Sequence, residues 1–416
     1  MSARLPDHAV VLLGEQEIGV LVHANERSRF EPSEEWAQLP AGERPVLGQQ
    51  FEEDPYAAHV GKQRLGVPLW FEHLLPEAST PLRIAIAQAT DIAESRGYAL
   101  LLVLGDDLPG NVRVRSVDGE VSFRTVARRV REAGGQPADE ALPLRVSLAG
   151  VQFKISARLG KSGIAVPGWD EEGDWIVKFA DQAHAGLPAI EYATMLWASR
   201  AGLTVPEIRL ESTSAIGGID HLKNVAGDVA FAIRRYDRSS EGRVHQEDFA
   251  QVLGLGVGNA KYRDVNMDTI VKVCAALVPE DVDELLARIT FCVVCGNDDA
   301  HAKNWALWYP AATKPRLAPA YDLVATLVFD QYKRNDMALK LAGASRFEAV
   351  TIQRFHALAR STGQDPEHVE EVVRQAVLAQ VEAWAAVRDT NEMPGELRDF
   401  IDVRIDRLPL VREVVR

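Results

Sequence analysis

Cysteine is scarce: among 416 residues there are three, Cys274, Cys292 and Cys295. Three cannot build a disulfide framework. Cys292 and Cys295 form a C-x-x-C, but no second C-x-x-C exists to complete a zinc site. The pair sits inside the apolar run "FCVVC", where free cysteine packs as core. No apolar run is long enough to span a bilayer. The opening "MSARLPDHAVVLLGEQEIG" lacks a charged segment followed by a long apolar one, so no secretory leader is read there and a cytoplasmic location is expected. Excess positive charge is missing too. Lys and Arg number 46 against 60 Asp and Glu, a formal net charge of −14. That excludes a large phosphate-backbone footprint formed by this chain alone. Low-complexity tracts and internal repeats are absent. A small basic stretch, "VARRVREAGG", reads as a solvated helix face.

What is present is an ordinary folding composition, 47% hydrophobic and 25% charged. The length fits one large domain or two to three ordinary ones. The first part reads as short strands, turns and a few helices. "HAVVLLGEQEIGVLVH" predicts a hairpin around Gly14 to Glu17, and "TPLRIAIAQATDIAESRG" has helical spacing. The segment 131–143, "REAGGQPADEALP", is rich in Gly, Pro and charge and reads as a boundary. After it, "LRVSLAGVQFKISARLG", "DWIVKFA" and "VAFAIRRYDR" are strand-like. In "DWIVKFA", Trp175 and Val177 alternate with Ile176 and Lys178. "AIEYATMLWASRAGLTVPEIRL" predicts a helix with Tyr192, Met195, Leu196 and Ser199 on one face and Gly202 as its stop. From Gln246 onward the patterns are mainly helical. Beta first and alpha after predicts an α+β chain with two lobes of different character.

The most polar island among apolar runs is "GNDDAHAKN", residues 296–304, between "ITFCVVC" and "WALWY". Asp299 and Asn304 have the D-x-x-x-x-N spacing of a kinase catalytic loop, in which a carboxylate accepts a hydroxyl proton and an amide oxygen holds magnesium. Alone, that spacing is common by chance. Asp322, in "LAPAYDLVAT", lies beyond it. An Asp among apolar residues is costly to bury unless paired or metal-bound; the plainer alternative is a turn or N-cap Asp. Lys178 in "WIVKFA" suits a strand lysine that meets nucleotide phosphates, or else an edge lysine facing solvent. Glu191, opening the next helix, suits its carboxylate partner, or a first-turn Glu favoured by the helix dipole. "SLAGVQFK" (147–154) has one Gly and matches neither a Walker A nor a G-x-G-x-x-G loop, though it suits a short phosphate-covering turn. "GLGVGNA" (254–260) follows a helical pattern and reads as a plain loop. The order of the pieces carries more weight than any one of them.

In that order the residues resemble the HipA-like serine/threonine kinases, toxin halves of bacterial toxin–antitoxin pairs. "SLAGVQFK", "WIVKF", "EYATMLWASRAGLTVPE", "RRYDR", "HQEDFAQ", "GNDDAHAKNWAL" and "LAPAYDL" carry the likeness. "PLWFEHLLPE" and "GDDLPGNVRV" extend it to an accessory N-terminal part. The resemblance implies a two-lobed protein-kinase-like fold. An accessory subdomain would cover 1–135 and a kinase-like domain 136–416. The latter would divide into a β-rich ATP-binding part (136–240) and a helical lobe with the catalytic loop (241–416). It implies ATP and Mg2+ as cofactors. Asp299 and Lys178 would be catalytic, with Asn304 and Asp322 on the metal. Ser147, Gly150, Lys178, Arg234, Tyr236, Asp237, Gln246 and His301 would serve ATP, and Ser147 would also be autophosphorylated, switching the enzyme off. It implies a small HipB-like helix-turn-helix antitoxin as partner, operator DNA met only through that antitoxin, and no membrane. A protein substrate is implied as well, glutamyl-tRNA synthetase being one that the family is known for.

Five positions depart from the family pattern. Asp298 adds a negative charge beside Asp299, which by repulsion would raise one carboxyl's pKa. Phe153 stands where Pro is common, and Arg234 where some relatives have Glu. Leu323 and Val324, not Phe-Gly, follow Asp322. Two other readings stand beside the kinase. One is a dead kinase serving as a corepressor scaffold. The other is a metal-dependent hydrolase using Asp298, Asp299, His301 and Asp322.

Overall fold

A computed structural model of the chain describes residues 5–56, 66–117, 154–160, 163–165, 172–180, 184–219 and 226–415. The predicted boundary at 131–143, the basic stretch, Phe153 and the "SLAGVQ" turn with Ser147 and Gly150 lie outside the described residues. The chain forms two compact units. One comprises residues 1–185, 211–258 and 308–315; the other comprises 186–210, 259–307 and 316–416.

The first unit opens with strands β1 (His8–Leu13), β2 (Gln16–Ala24) and β3 (Arg27–Pro32). β1 and β2 turn through Gly14 and Glu15, with Leu13 opposite Gln16; Gly14 takes φ +65, which such a tight turn favours in glycine. β4 (Val112–Ser116) pairs antiparallel with the other edge of β1, giving the order β3-β2-β1-β4. Alternation in β1 and β4 sends Ala9, Val11, Val112 and Val114 inward. There they meet an aromatic cluster: Phe30, Phe51, Trp70 and Phe71 pack edge-on or tilted with centroids 5.2–5.9 Å apart. The helix Pro81–Thr90, capped by Thr80, and the wholly buried helix Gly97–Leu104 complete this part.

Four of the five strands of a second sheet lie in the same unit in the order β6-β5-β7-β8, with β5 Lys154–Gly160, β6 Gly163–Ala165, β7 Trp175–Ala180 and β8 Ala226–Arg234, these four antiparallel to their neighbours in that order. Its buried Ile155, Val177, Phe179 and Ala230 join one core with the aromatics of the first sheet. The alternation expected along β7 fails at Lys178, which is buried. β7 is paired along both edges, with Lys178 opposite Lys154 in β5 and Phe231 in β8. With neighbours bonded along both edges β7 is an interior strand, so the edge-lysine alternative does not apply; Val177, Lys178, Phe179 and Ala180 are all buried.

The second unit is mainly helical. Leu187–Arg200 forms the predicted helix, but its buried side is Ile190, Glu191, Thr194, Met195, Trp197 and Ala198, not the face through Tyr192 and Ser199. Trp197 decides this. Its ring lies 4.8 Å from Phe291 and 4.9 Å from Trp384, and its Nε1 donates to the Gln380 carbonyl at 2.8 Å. Helices Val282–Cys295, Ile352–Thr362, Pro366–Val387, Gly395–Arg407 and Pro409–Val415 follow. A hairpin, Ala306–Ala311 with Lys314–Leu317, interrupts the predicted helical run, and its residues 308–315 belong to the first unit. All three cysteines are free and buried, as core packing requires.

Candidate active site

The polar island follows the helix Val282–Cys295, "VDELLARITFCVVC", whose last two turns are buried on every side. Such a helix ends with carbonyls that water cannot reach. Arg404 meets two of them, its Nε donating to Val294 at 2.9 Å and its Nη2 to Val293 at 2.7 Å. Gly296 then turns left-handed at φ +78; a Cβ there would lie 3.2 Å from Arg404 Nε and 3.3 Å from Leu327 Cδ1.

The chain leaves Gly296 into a loop held by its own amides. Buried Asn297 uses both ends of its side chain. Its Oδ1 accepts from the Asp299 N–H at 3.0 Å, and its Nδ2 donates to the Asp322 carbonyl at 3.2 Å. The Asp299 carbonyl accepts from the His301 N–H and from Asn304 Nδ2, both at 2.7 Å. Tyr321 O–H donates to the Lys303 carbonyl at 2.8 Å. Asn297, which sequence reading did not single out, thus ties Asp299 to Asp322, and Asn304 closes directly on Asp299. Asp322 takes φ +54, a backbone conformation that L-residues seldom adopt.

Asp298, the unusual neighbour, faces elsewhere. Its N–H donates to Thr326 Oγ1 at 2.8 Å and its Oδ2 accepts from Asn335 Nδ2 at 2.6 Å. It anchors the segment after Asp322. His301 is buried, with its ring edge-on to Tyr262 at 5.0 Å. The Tyr262 hydroxyl donates to Asp299 Oδ1 at 2.7 Å. Tyr262 and Lys261 fall just after the stretch read as a plain loop, and no spacing rule marks them.

Glu191 is buried in the helix Leu187–Arg200 of the second unit; the remaining predicted residues that are described belong to the first unit. Buried Lys178 places its ammonium 5.7 Å from the centre of the Phe231 ring. Arg234 ends β8 and is exposed. Tyr236 bonds Gln246 Oε1 through its hydroxyl and meets Trp308 edge-on. Asp237, expected near the ribose or phosphates of ATP, is turned inward. Its oxygens accept from Arg235 Nε and Nη2 and Arg238 Nη1, each at 2.9 Å, and from the Gly110 N–H at 2.7 Å. Asp107 completes this buried network, its Oδ1 accepting from both Arg235 and Arg238 at 3.0 Å. Burial alone would push the Asp237 carboxyl up, but the two guanidiniums outweigh it and hold it well below the usual range. A ribose contact is therefore not what its surroundings provide; Asp237 shapes the segment after β8.

A family model described as the HipA-like C-terminal domain matches residues 146–384, and the HipA N-terminal domain matches 9–115. The chain belongs to the HipA-like family. "Putative kinase Y4dM" of Sinorhizobium fredii is 34% identical over 387 residues, covering 91% of this chain and 92% of that protein. Y4mE of the same organism is 28% identical, covering 82% and 85%. Among solved structures, HipA of Shewanella oneidensis, determined with HipB and operator DNA, superposes with TM-score 0.71 at 19% identity over 98% of this chain and 99% of that one. The HipA-like chain accordingly has a kinase-like α+β fold, sheet-rich first and helical after.

In this HipA-like loop the electrostatics set Asp299 apart. Its side chain reaches solvent, yet the protein packed round it pushes its carboxyl up to about 6. The Tyr262 hydroxyl and Lys261 oppose that rise, while Asp298 and Asp322 add to it. Burial holds His301 neutral, well below its ordinary value, with Lys261 and Lys303 acting the same way. The donor set suits a hard cation. Asn304 commits its amide nitrogen to the Asp299 carbonyl, which leaves the amide oxygen as its remaining ligand atom. Among the described residues no three His, Cys, Asp or Glu side chains are placed to hold a metal together. Asp298 and His301 have the other surroundings described above, which weighs against the hydrolase reading.

Proposed function

We propose that the chain is an ATP- and Mg2+-dependent serine/threonine protein kinase, the toxin of a type II toxin–antitoxin pair. The observation that carries this is the amide-held loop: Asn297 joins Asp299 to Asp322, and Asn304 closes on Asp299 with its oxygen left over. In this reading Asp299 accepts the proton of a Ser or Thr hydroxyl as its oxygen attacks the γ-phosphorus and the bond to ADP breaks. Lys178 bears on the phosphates from the central strand β7, with Glu191 as a candidate carboxylate partner. Arg234 and Tyr236 offer backbone groups to adenine, and Gln246 and His301 line the nucleotide. Asn304 and Asp322 would hold magnesium, which supplies charge neutralisation on the phosphates. Ser147 would be the autophosphorylated residue and Gly150 part of the same phosphate turn.

The wider assignments rest on the family likeness. A HipB-like antitoxin is proposed as partner, and the net charge of −14 suits DNA contact made through it. The substrate would be a protein, with glutamyl-tRNA synthetase the first to offer. Among the described residues no helix is long and apolar enough to cross a membrane, and the cytoplasm is proposed as the location.

The test is intact mass after incubation with ATP and Mg2+, starting from unmodified protein, with Asp299→Asn in parallel. One added phosphate on Ser147 in the parent and none in the variant is the expected result. Equal phosphorylation of both proteins would remove Asp299 from its role. No phosphorylation of the parent, or of an offered substrate, would favour the corepressor scaffold.

A further inference from the structure

Asp299 is held in two different ways. Its backbone is fixed on both sides: the N–H by Asn297 Oδ1, the carbonyl by His301 N and Asn304 Nδ2. Its carboxylate is a separate matter, because a carboxyl group still turns about its last side-chain bond. Among the described residues, the side-chain hydrogen bond to that carboxylate comes from Tyr262, whose O–H donates to Oδ1 at 2.7 Å.

The tyrosine is itself clamped. It lies in the short helix Ala260–Arg263, and its N–H donates to the Asn259 carbonyl at 3.1 Å. Its ring stands at 77° to buried His301, centroids 5.0 Å apart. The ammonium of buried Lys261 lies 5.1 Å from the same ring. A residue that plugs a site and later withdraws would need freedom that this one lacks. A phenol held on a ring and a cation offers a donor at one fixed point, and a hydrogen bond to an ionised carboxylate is among the stronger ones.

We propose that Tyr262 is a positioning residue for phosphoryl transfer: its hydroxyl occupies Oδ1 of Asp299 and so presents Oδ2 to the substrate hydroxyl. This rests on the reading of Asp299 as the proton acceptor. The step itself is unchanged, with the proton passing to Oδ2 while Tyr262 keeps its own. Misplacing a reacting group by about 1 Å can cost roughly 100-fold in rate.

Tyr262→Phe tests it, because the ring stays on His301 and only the hydroxyl is lost. With ATP and Mg2+ saturating, the initial rate of phosphate incorporation should fall about 10-fold. Affinity for a fluorescent ATP analogue should stay within about twofold, since the change is in the transfer step and not in uniform binding. An unchanged or faster rate would overturn the proposal, and so would an affinity loss matching the rate loss. A crystal structure of the same variant gives a readout that needs no activity. The Asp299 carboxylate should be spread over two orientations in the variant and ordered on Tyr262 in the parent. One unchanged orientation without the hydroxyl would also overturn it. Transfer that survives in Asp299→Asn would instead sink the reading of Asp299, a different outcome from either.

Discussion

Glu247 is fully buried in the first unit, on the strand His245–Asp248. Its Oε1 accepts from Tyr309 O–H at 2.5 Å and the Gln49 N–H at 2.9 Å, and its Oε2 from Trp70 Nε1 at 3.3 Å. Burial pushes its carboxyl from an ordinary 4.5 up to about 7, against the pull of those donors. The folded protein therefore keeps a proton that the unfolded chain releases. Stability from this group is complete below pH 4.5, falls through the interval to about 7, and is flat above it. At about 1.4 kcal/mol per pH unit the loss is about 3 kcal/mol. The total stability curve will hide it. His245, two residues away, is driven by burial from 6.5 down to about 4; its folded form resists protonation, so its contribution rises with pH over 4 to 6.5. The two slopes oppose each other below pH 6.5. Glu247→Gln removes one and leaves the other. Urea unfolding of both proteins from pH 4.5 to 8 should show a difference that moves by about 3 kcal/mol in favour of the variant as pH rises. Any misfit of the amide adds a constant offset. Two curves that stay parallel across this range would refute a proton on Glu247.

Two further outcomes follow from buried groups. Asp107→Ala leaves Arg235 and Arg238 short of a counter-charge in the interior, so urea unfolding should show a loss of about 3–5 kcal/mol; a loss below about 1 kcal/mol would mean the network is solvated. The three thiols are raised by burial, Cys274 and Cys292 to about 12 and Cys295 well above its ordinary value. None should react with a disulfide thiol reagent at neutral pH until denaturant is added, and fast labelling of the native protein would contradict their burial.

Much of the site was legible because its chemistry is local. Asp299 and Asn304 lie five positions apart on one loop, and the apolar runs on either side mark it as buried at both ends. Asn297 and Tyr262 were not legible, because what distinguishes them is a bond to one atom of a residue positioned by the fold. Lys178 was readable as a strand lysine, but not its burial, since period-2 reasoning presumes that alternate residues face water and Val177, Lys178, Phe179 and Ala180 are buried in succession. Asp237 was visible as a carboxylate in a suggestive place. Its role is set by Asp107 and Gly110, more than a hundred residues earlier, which no window can weigh. The helix Leu187–Arg200 was legible as a helix, but which side of it packs was not, because that is set by Trp197 meeting Phe291 and Trp384.

The bonds that complete the first unit also order its assembly in time. Asp107 meets Arg235 across 128 residues, Trp70 meets Glu247 across 177, and Gln49 meets Tyr309 across 260. A ribosome adds about 5–20 residues per second, so Gln49 waits at least about ten seconds for Tyr309 to be made. Until then the four-stranded sheet near the N-terminus can collapse on its aromatics, but its polar contacts to the later segments cannot form. Pairings this distant in sequence are slow to close and leave apolar surface uncovered meanwhile. The N-terminal part of this chain is thus the first to be synthesised and among the last to be finished.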